Sequence, residues 1–248
     1  MRILGVDTAT SIASAALIEN GRIVVDEISP QGQKKQGVPS LSFGGNHAEV
    51  VLPLIHSVLR KAGVAIADLS ALAVSVGPGS FTGVRIGLST IKGLSYGASV
   101  PVLGFSTLLA NAGRVENFNG LICSFLDARK NQVYAALFRR KGDELGRISD
   151  DRLTEPKTVI AQVTEHDPAL PCFFIGDGTR AYGDLLLESL GNRVSLSNGD
   201  GLPSIASAIA RLGETEYCRP NNHTRTTLSP VYLRLPEAEE KQKRTLSD

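Results

Sequence analysis

Residues 77–97 read GPGSFTGVRIGLSTIKGLSYG, and the interpretation of this stretch decides the fold. It follows the apolar run 72–76 and joins a glycine-rich turn to a helical segment, 84–97, with more glycine than a soluble helix ordinarily tolerates. Each interior glycine costs about 1 kcal/mol relative to alanine, so a compensating reason is needed. Two are available: a phosphate that needs bare backbone N–H groups, or a second helix that needs close approach. Gly83 and Gly87 are four residues apart, as are Gly93 and Gly97, so each pair shares a helix face. The turn Gly77-Pro78-Gly79-Ser80 has no Gly-Lys-Ser/Thr after it and lacks the dinucleotide spacing. Packing therefore explains the glycines at least as well as a ligand does.

Working outward, 72–76 is a buried strand and 100–103 a second one. Upstream, 2–6, 12–18 and 22–28 are short segments rich in Ile, Val and Ala, and the Glu19-Asn20-Gly21 separator predicts that the last two form a hairpin. Residues 29–46 are polar and glycine-bearing, with Lys34-Lys35, and read as a surface loop. Val50, Val51, Leu54, Ile55, Val58 and Leu59 recur at helical spacing over 47–62, with Gly63 as the stop, Asn46 as the N-cap and Glu49 as its partner. The first hundred residues thus predict βββ-α-β-α-β. Downstream, a helix over 106–113 leads to strands 121–126 and 132–138 around the turn 127–131. A further strand, 172–175, ends in Gly176-Asp177-Gly178, and helices follow over 180–190 and 204–212. Hairpins mixed with βαβ crossovers, begun twice, predict two related α/β halves rather than a doubly wound sheet. We place the first at 1–103 and the second at 104–235, with helix 204–213 packing back on the first and a flexible tail at 236–248.

The composition is that of a globular protein: 248 residues, 42% hydrophobic and 21% charged. A net charge of +1 provides no global field toward nucleic acid, and Lys34-Lys35 and Arg139-Arg140-Lys141 read as solvated surface. Cys123, Cys172 and Cys218 are far apart and odd in number, which fits a reducing compartment and no zinc site. The apolar run before Asp7 is too short for a signal peptide, and no run of about 18 apolar residues occurs that would span a membrane.

Candidate chemistry is sparse. His47 and His56 are nine apart, His166 falls in an acidic loop and His223 in a polar stretch, so no metal-ligand cluster is expected. No Gly-x-Ser-x-Gly elbow occurs. The turn Asp7-Thr8-Ala9-Thr10-Ser11, closing the first strand, suits either a Mg²⁺-phosphate or a capped hairpin turn. Asp127 and Asp177 each read either as a general base or metal ligand or as ordinary turn residues.

Five segments carry a family likeness: ILGVDTATS, HAEVVLPLIHSVL, SVGPGSFTGVRIGLSTIKGL, DARKNQVYAALF and SPVYLR. In this order, from Ile3 to Arg234, they resemble the bacterial TsaB family of tRNA threonylcarbamoyladenosine biosynthesis proteins. The resemblance implies the actin-like ATPase superfamily: two ribonuclease-H-like domains with mixed sheets flanked by helices. It also implies a cytoplasmic, non-catalytic scaffold or activator that pairs with a TsaD-like subunit, which transfers threonylcarbamoyl to the adenosine beside the tRNA anticodon. The resemblance further implies that a TsaE-like ATPase docks on the pair and that tRNA is met only through the complex; the apolar surface of the paired helices predicts a homodimer when the chain is alone. The catalytic relative has His-x-x-x-His after the strand matching 100–103, where this chain reads GFSTLLAN over 104–111. No catalytic residue and no metal ligand are therefore expected, and a metalloprotease is not. The partner interface falls on His47, Val50, Val51, Leu54 and Val58 of one helix and Arg85, Gly87, Leu88, Ile91 and Leu94 of the other. A vestigial nucleotide cleft falls on Asp7, Thr8, Thr10, Ser11, Gly77, Gly79, Gly176 and Gly178; no cofactor is required, and ATP or ADP with Mg²⁺ is at most weakly held. The alternative is a nucleotide-binding ATPase or kinase-like enzyme of the same superfamily. Relative to the family, residues 29–46 resemble an insertion.

Overall fold

A computed structural model of the chain describes residues 1–29, 47–219 and 228–234. Its first sheet is built from β1 (Arg2–Asp7), β2 (Ser14–Glu19), β3 (Arg22–Ile28), β4 (Ala71–Gly77) and β5 (Val102–Ser106), in the order β3-β2-β1-β4-β5. β1, β2 and β3 form an antiparallel meander, whereas β4 joins β1 in parallel, with Val6 opposite Val74, and β5 joins β4 in parallel. The strands buried on both faces, β1 and β4, are continuous apolar runs, while β3 alternates as an edge strand should. Helices α1 (His47–Ala62) and α2 (Phe81–Ala98) pack on one face and bury Val51, Leu54, Ile55, Val58, Val84, Leu88 and Ile91 against Leu4, Val6, Leu72 and Val74.

The second sheet holds β6 (Gly120–Asp127), β7 (Val133–Lys141), β8 (Glu144–Arg147), β10 (Cys172–Ile175) and β11 (Val194–Ser197), in the order β11-β10-β6-β7-β8, with β9 (Arg152–Thr154) also on β7. The pairing repeats that of the first sheet: antiparallel β6–β7–β8, then parallel β6–β10–β11. Thus β6 stands where β1 does and β10 where β4 does. The two halves are one topology used twice, as the ribonuclease-H-like reading expects. Helices α4 (Pro156–His166) and α5 (Gly178–Leu190) cover one face over Phe125, Leu137 and Phe174. The Phe125 and Phe174 rings meet edge to face at 5.4 Å, an arrangement worth about 0.5–1.5 kcal/mol beyond their burial.

The remaining helices cross between the halves. α3 (Thr107–Gly113) follows the first sheet yet packs Leu108 and Ala112 against Ile122, Phe138 and Ile175 of the second. α6 (Ile205–Tyr217) follows the second sheet yet packs Ile205, Ile209 and Ala210 against Ile3, Ile18, Ala71 and Ala73 of the first. Its small residues let it lie close: a Cβ at Gly5 would be 2.8 Å from the Ala210 nitrogen.

Several boundaries move. β2 starts at Ser14 rather than 12, because Thr10 spends its hydroxyl on Asp7 and the Ile12 carbonyl and prolongs the preceding turn. α2 starts at Phe81, where the Ser80 hydroxyl accepts from Gly83 N–H. The first half runs past 103, since Phe105 and Ser106 still pair with β4. Strands β8, β9 and β11 and helix α4 are additional to the sequence reading, and His166 closes α4 instead of lying in a loop. The expected Asn46 cap, His223, the tail 236–248 and nearly all of loop 29–46 lie outside the described residues.

Candidate functional site

The C-terminal ends of the equivalent strands face one another: Asp7 and Gly77 of the first sheet, Asp127 and Ile175 of the second. Between them lies a cleft of about 730 Å³, with Thr10, Ser11, His47, Gly79 and Ser80 on one side and Asp127, Arg129, Tyr134 and Asp177 on the other. A recess of about 190 Å³ adjoins it, shares Thr10, Ser11 and Asp177, and includes Gly176 and Arg114. The third wall is Val231-Tyr232-Leu233-Arg234, from the segment 228–234.

The structure separates the expected nucleotide residues. Thr10, Ser11 and Gly79 line the cleft. Asp7 is wholly buried behind it: one oxygen accepts the Ala9 N–H at 3.1 Å and the other the Thr10 hydroxyl at 3.0 Å. Burial pushes its pKa above the ordinary carboxylate value, while these hydrogen bonds act in the opposite sense. Ser75 lies beside it on β4, and its hydroxyl has no partner in any other described residue. Thr8 is also fully buried and donates to the Gly83 carbonyl at 2.7 Å.

The glycines have internal reasons to be glycine. Gly77 has φ +102°, and a Cβ there would be 2.7 Å from the Val231 carbonyl. At Gly79, Gly83 and Gly87 an added Cβ would stand inside the 3.0 Å that real Cβ atoms essentially never breach, against Ala9 O, Thr8 O and Thr8 Oγ1 respectively. Gly176 and Gly178 would meet the Phe125 carbonyl in the same way. Two backbone donors here are engaged as well: Ser80 N–H of the turn goes to Ala9 O at 2.7 Å and Val84 N–H of α2 to Ser80 O at 2.9 Å. Thus Gly83 and Gly87 seat α2 on the Asp7 turn, whereas Gly93 and Gly97 have nothing within 4 Å of an added Cβ among the described residues.

The residues expected at a partner interface divide similarly. Val51, Leu54, Val58, Gly87, Leu88 and Ile91 are buried in the chain's own core and present no surface. The helical period that singled them out reports burial, whichever body does the burying. Val50 and Leu94 are half-buried and Arg85 exposed. His47 lines the cleft, where burial lowers its pKa against the opposing charge of Asp7 and its contact with the Thr10 backbone. Its Nε2 has no partner among the described residues. The outward side chains are instead Leu52, 50% exposed, on α1 and Tyr96, 86% exposed, on α2.

On the second half, Asp177 accepts the Asp127 N–H at 2.9 Å, and burial together with the nearby Asp127 charge raises its pKa, offset partly by that hydrogen bond. Arg129 N–H and its guanidinium both meet Asp127, at 2.9 and 3.3 Å. Arg129, Lys130 and Asn131 all have positive φ, +61°, +53° and +55°, a conformation costing roughly 1–2 kcal/mol per ordinary L-residue. On α3, Asn111 is buried and donates to Ser124 Oγ and Ile175 O, both at 3.0 Å. Among the described residues no three of His, Cys, Asp and Glu cluster as metal ligands.

The sequence model of the family described as "TsaD: tRNA N6-adenosine threonylcarbamoyltransferase" matches residues 23–224. A "tRNA threonylcarbamoyladenosine biosynthesis protein TsaB" of Bacillus subtilis (strain 168) is 30% identical over 97% of both chains. One of Escherichia coli (strain K12) is 32% identical over 94% of this chain and 95% of its own. The chain belongs to the TsaB family. Its structure is similar to that of "YeaZ from Pseudomonas aeruginosa", with a TM-score of 0.74 and 28% identity over 94% of this chain and 99% of the other. TsaB membership and the match to the transferase model agree with the duplicated topology: one actin-like fold serves both. The segment that sequence reasoning left unused is 228–234. SPVYLR stood only as part of a likeness, and its place in the cleft depends on contacts more than 90 residues away in the chain.

Proposed function

We propose that this TsaB-family chain serves tRNA threonylcarbamoyladenosine biosynthesis as a non-catalytic subunit of a cytoplasmic complex. It pairs through α1 and α2 with a TsaD-like transferase, supports docking of a TsaE-like ATPase on the pair, meets tRNA only there, and self-associates when alone. The observation that carries this reading is the outer side of the two helices. Tyr96 stands 86% exposed between Gly93 and Gly97, where backbone is bare, and Leu52 is half exposed on α1. Large apolar groups beside bare backbone are costly to leave in water and favourable to cover.

Size-exclusion chromatography with a TsaD-like protein tests this. Gly93→Trp, Tyr96→Asp and Leu52→Asp should each abolish co-elution while their urea midpoints stay with the parent's. Retained co-elution in all three removes the helix contact.

A second reading, a nucleotide-binding enzyme, has the cleft in its favour. Against it, Ser80 N–H is already committed to Ala9 O and both Asp7 oxygens to their own turn. Calorimetry with ATP and Mg²⁺ should give weak binding or none; tight binding lost in Ser11→Ala would favour the enzyme.

A further inference from the structure

Segment 228–234 touches both halves, and its two ends do so by different chemistry. On the first half, Val231 N–H donates to Val76 O at 2.7 Å, and Lys92 of α2 donates to Leu228 O at 2.6 Å. The Tyr232 hydroxyl accepts from Arg85 Nε at 2.7 Å, and its ring lies 4.6 Å from that of Phe81. The Arg85 guanidinium itself sits 3.9 Å over the Phe81 ring. The first half is shaped for this segment: a Cβ at Gly104 would be 2.7 Å from Leu228 Cδ2. Two residues on from Tyr232, the Arg234 guanidinium spans to the second half and donates to Ala128 O through one nitrogen and to Gln132 Oε1 through the other, the latter at 2.5 Å.

Those two acceptors bracket Arg129, Lys130 and Asn131, the three consecutive left-handed non-glycines. A strained turn persists only where its surroundings over-determine it. Here its own chain supplies Gln132 N–H to Arg129 O and Ala128 N–H to Gln132 O, both at 3.0 Å. The planar fork of an arginine, which engages two acceptors at fixed separation, adds the clamp across the turn's base.

We infer that residues 228–234 are a latch: anchored on α2 and β4, they deliver Arg234 to the β6–β7 turn and hold residues 129–131 left-handed. The turn carries Asp127 and Arg129 into the cleft, so the latch fixes the shape of the cleft's second wall. Released, the turn relaxes to right-handed backbone and the two halves lose their tie at the cleft mouth. This is independent of which partner, if any, covers α1 and α2.

NMR chemical shifts and amide exchange on the intact chain test the latch. Arg234→Ala should move the backbone shifts of residues 129–131 out of the left-handed range and speed exchange of the Ala128 and Gln132 amides about tenfold, as expected when a local opening becomes easier. Arg234→Lys, which cannot present the fork, should move both in the same direction by less. Arg85→Ala, which frees only the Tyr232 end, should also speed those two amides, although Arg85 touches nothing in the turn. Unchanged shifts and exchange in Arg234→Ala overturn the latch. An effect in Arg234→Ala with none in Arg85→Ala overturns the anchored segment as its carrier.

Discussion

Gly87→Ala is the substitution that separates packing within the chain from docking by another. The added methyl would stand inside 3.0 Å of Thr8 Oγ1, with Thr8 Cβ at 3.6 Å and Val74 Cγ2 at 3.7 Å. Thr8 has no room to retreat, being fully buried with its hydroxyl on the Gly83 carbonyl. Relief therefore requires α2 to lift or Thr8 to give up that bond. Overpacking of this kind costs about 1–3 kcal/mol, and a buried polar group left unpaired costs about 1–3 kcal/mol. Helix propensity returns about 1 kcal/mol for Gly→Ala. The net is a loss of about 1–5 kcal/mol, summed from those terms. Gly93→Ala has the propensity gain alone, because no described residue lies within 4 Å, and should stabilise by about 0.5–1 kcal/mol. Urea unfolding of both variants checks the pair. A Thr8→Ala change in the Gly87→Ala background should cost less than the two single costs added, since the clash partner is gone. A Gly87→Ala protein as stable as the parent would refute the seating of α2 on the Asp7 turn.

Burial raises the Asp7 pKa, so its protonated form favours the folded state. That contribution is complete below the unfolded value of 3.8 and is lost as pH rises through the folded one. Asp7→Asn should accordingly melt above the parent at pH 7, with the gap closing near pH 4; equal gaps at both would contradict the burial argument. Asn111→Ala strips partners from Ser124 Oγ, Ile175 O and the Arg114 guanidinium and should lower stability by about 2–3 kcal/mol in denaturant titration. Cys218 is exposed while Cys123 and Cys172 are buried, and burial raises both of the latter pKa values. A thiol reagent should therefore modify one cysteine rapidly in the native chain and the others only on unfolding.

Legibility in the sequence followed the physics of each element. The first half was readable because β1 and β4 are continuous apolar runs and α1 carries a strong helical period, and the Asn20-Gly21 hairpin marks itself. Helix α4 was not, because only Pro156, Val159 and Val163 of its eleven residues are buried and the apolar stripe is thin. The pairing of halves and the return of helix 204–213 to the first half were expected from the sequence, but the crossing of α3 was not, since a helix's periodicity does not say which sheet it covers. The same ambiguity affected the site. Spacing put Gly83, Gly87, Gly93 and Gly97 in one class, yet the first two meet Thr8 and the last two meet no described residue. Asp7 and Thr10 were legible as a turn, and the cleft wall at 231–234 was not, because a few residues outside helix and strand carry no period.

The exchange of closing helices makes each half an incomplete body. A chain severed within residues 114–119 would yield one fragment whose sheet lacks the cover over Ile3, Ile18 and Ala73, and another lacking the cover over Ile122 and Phe138. Neither piece carries the helix its own sheet needs, and each carries the other's. The protein is therefore divisible in sequence but interlocked in assembly: two inert fragments that become a folded protein only by complementing one another.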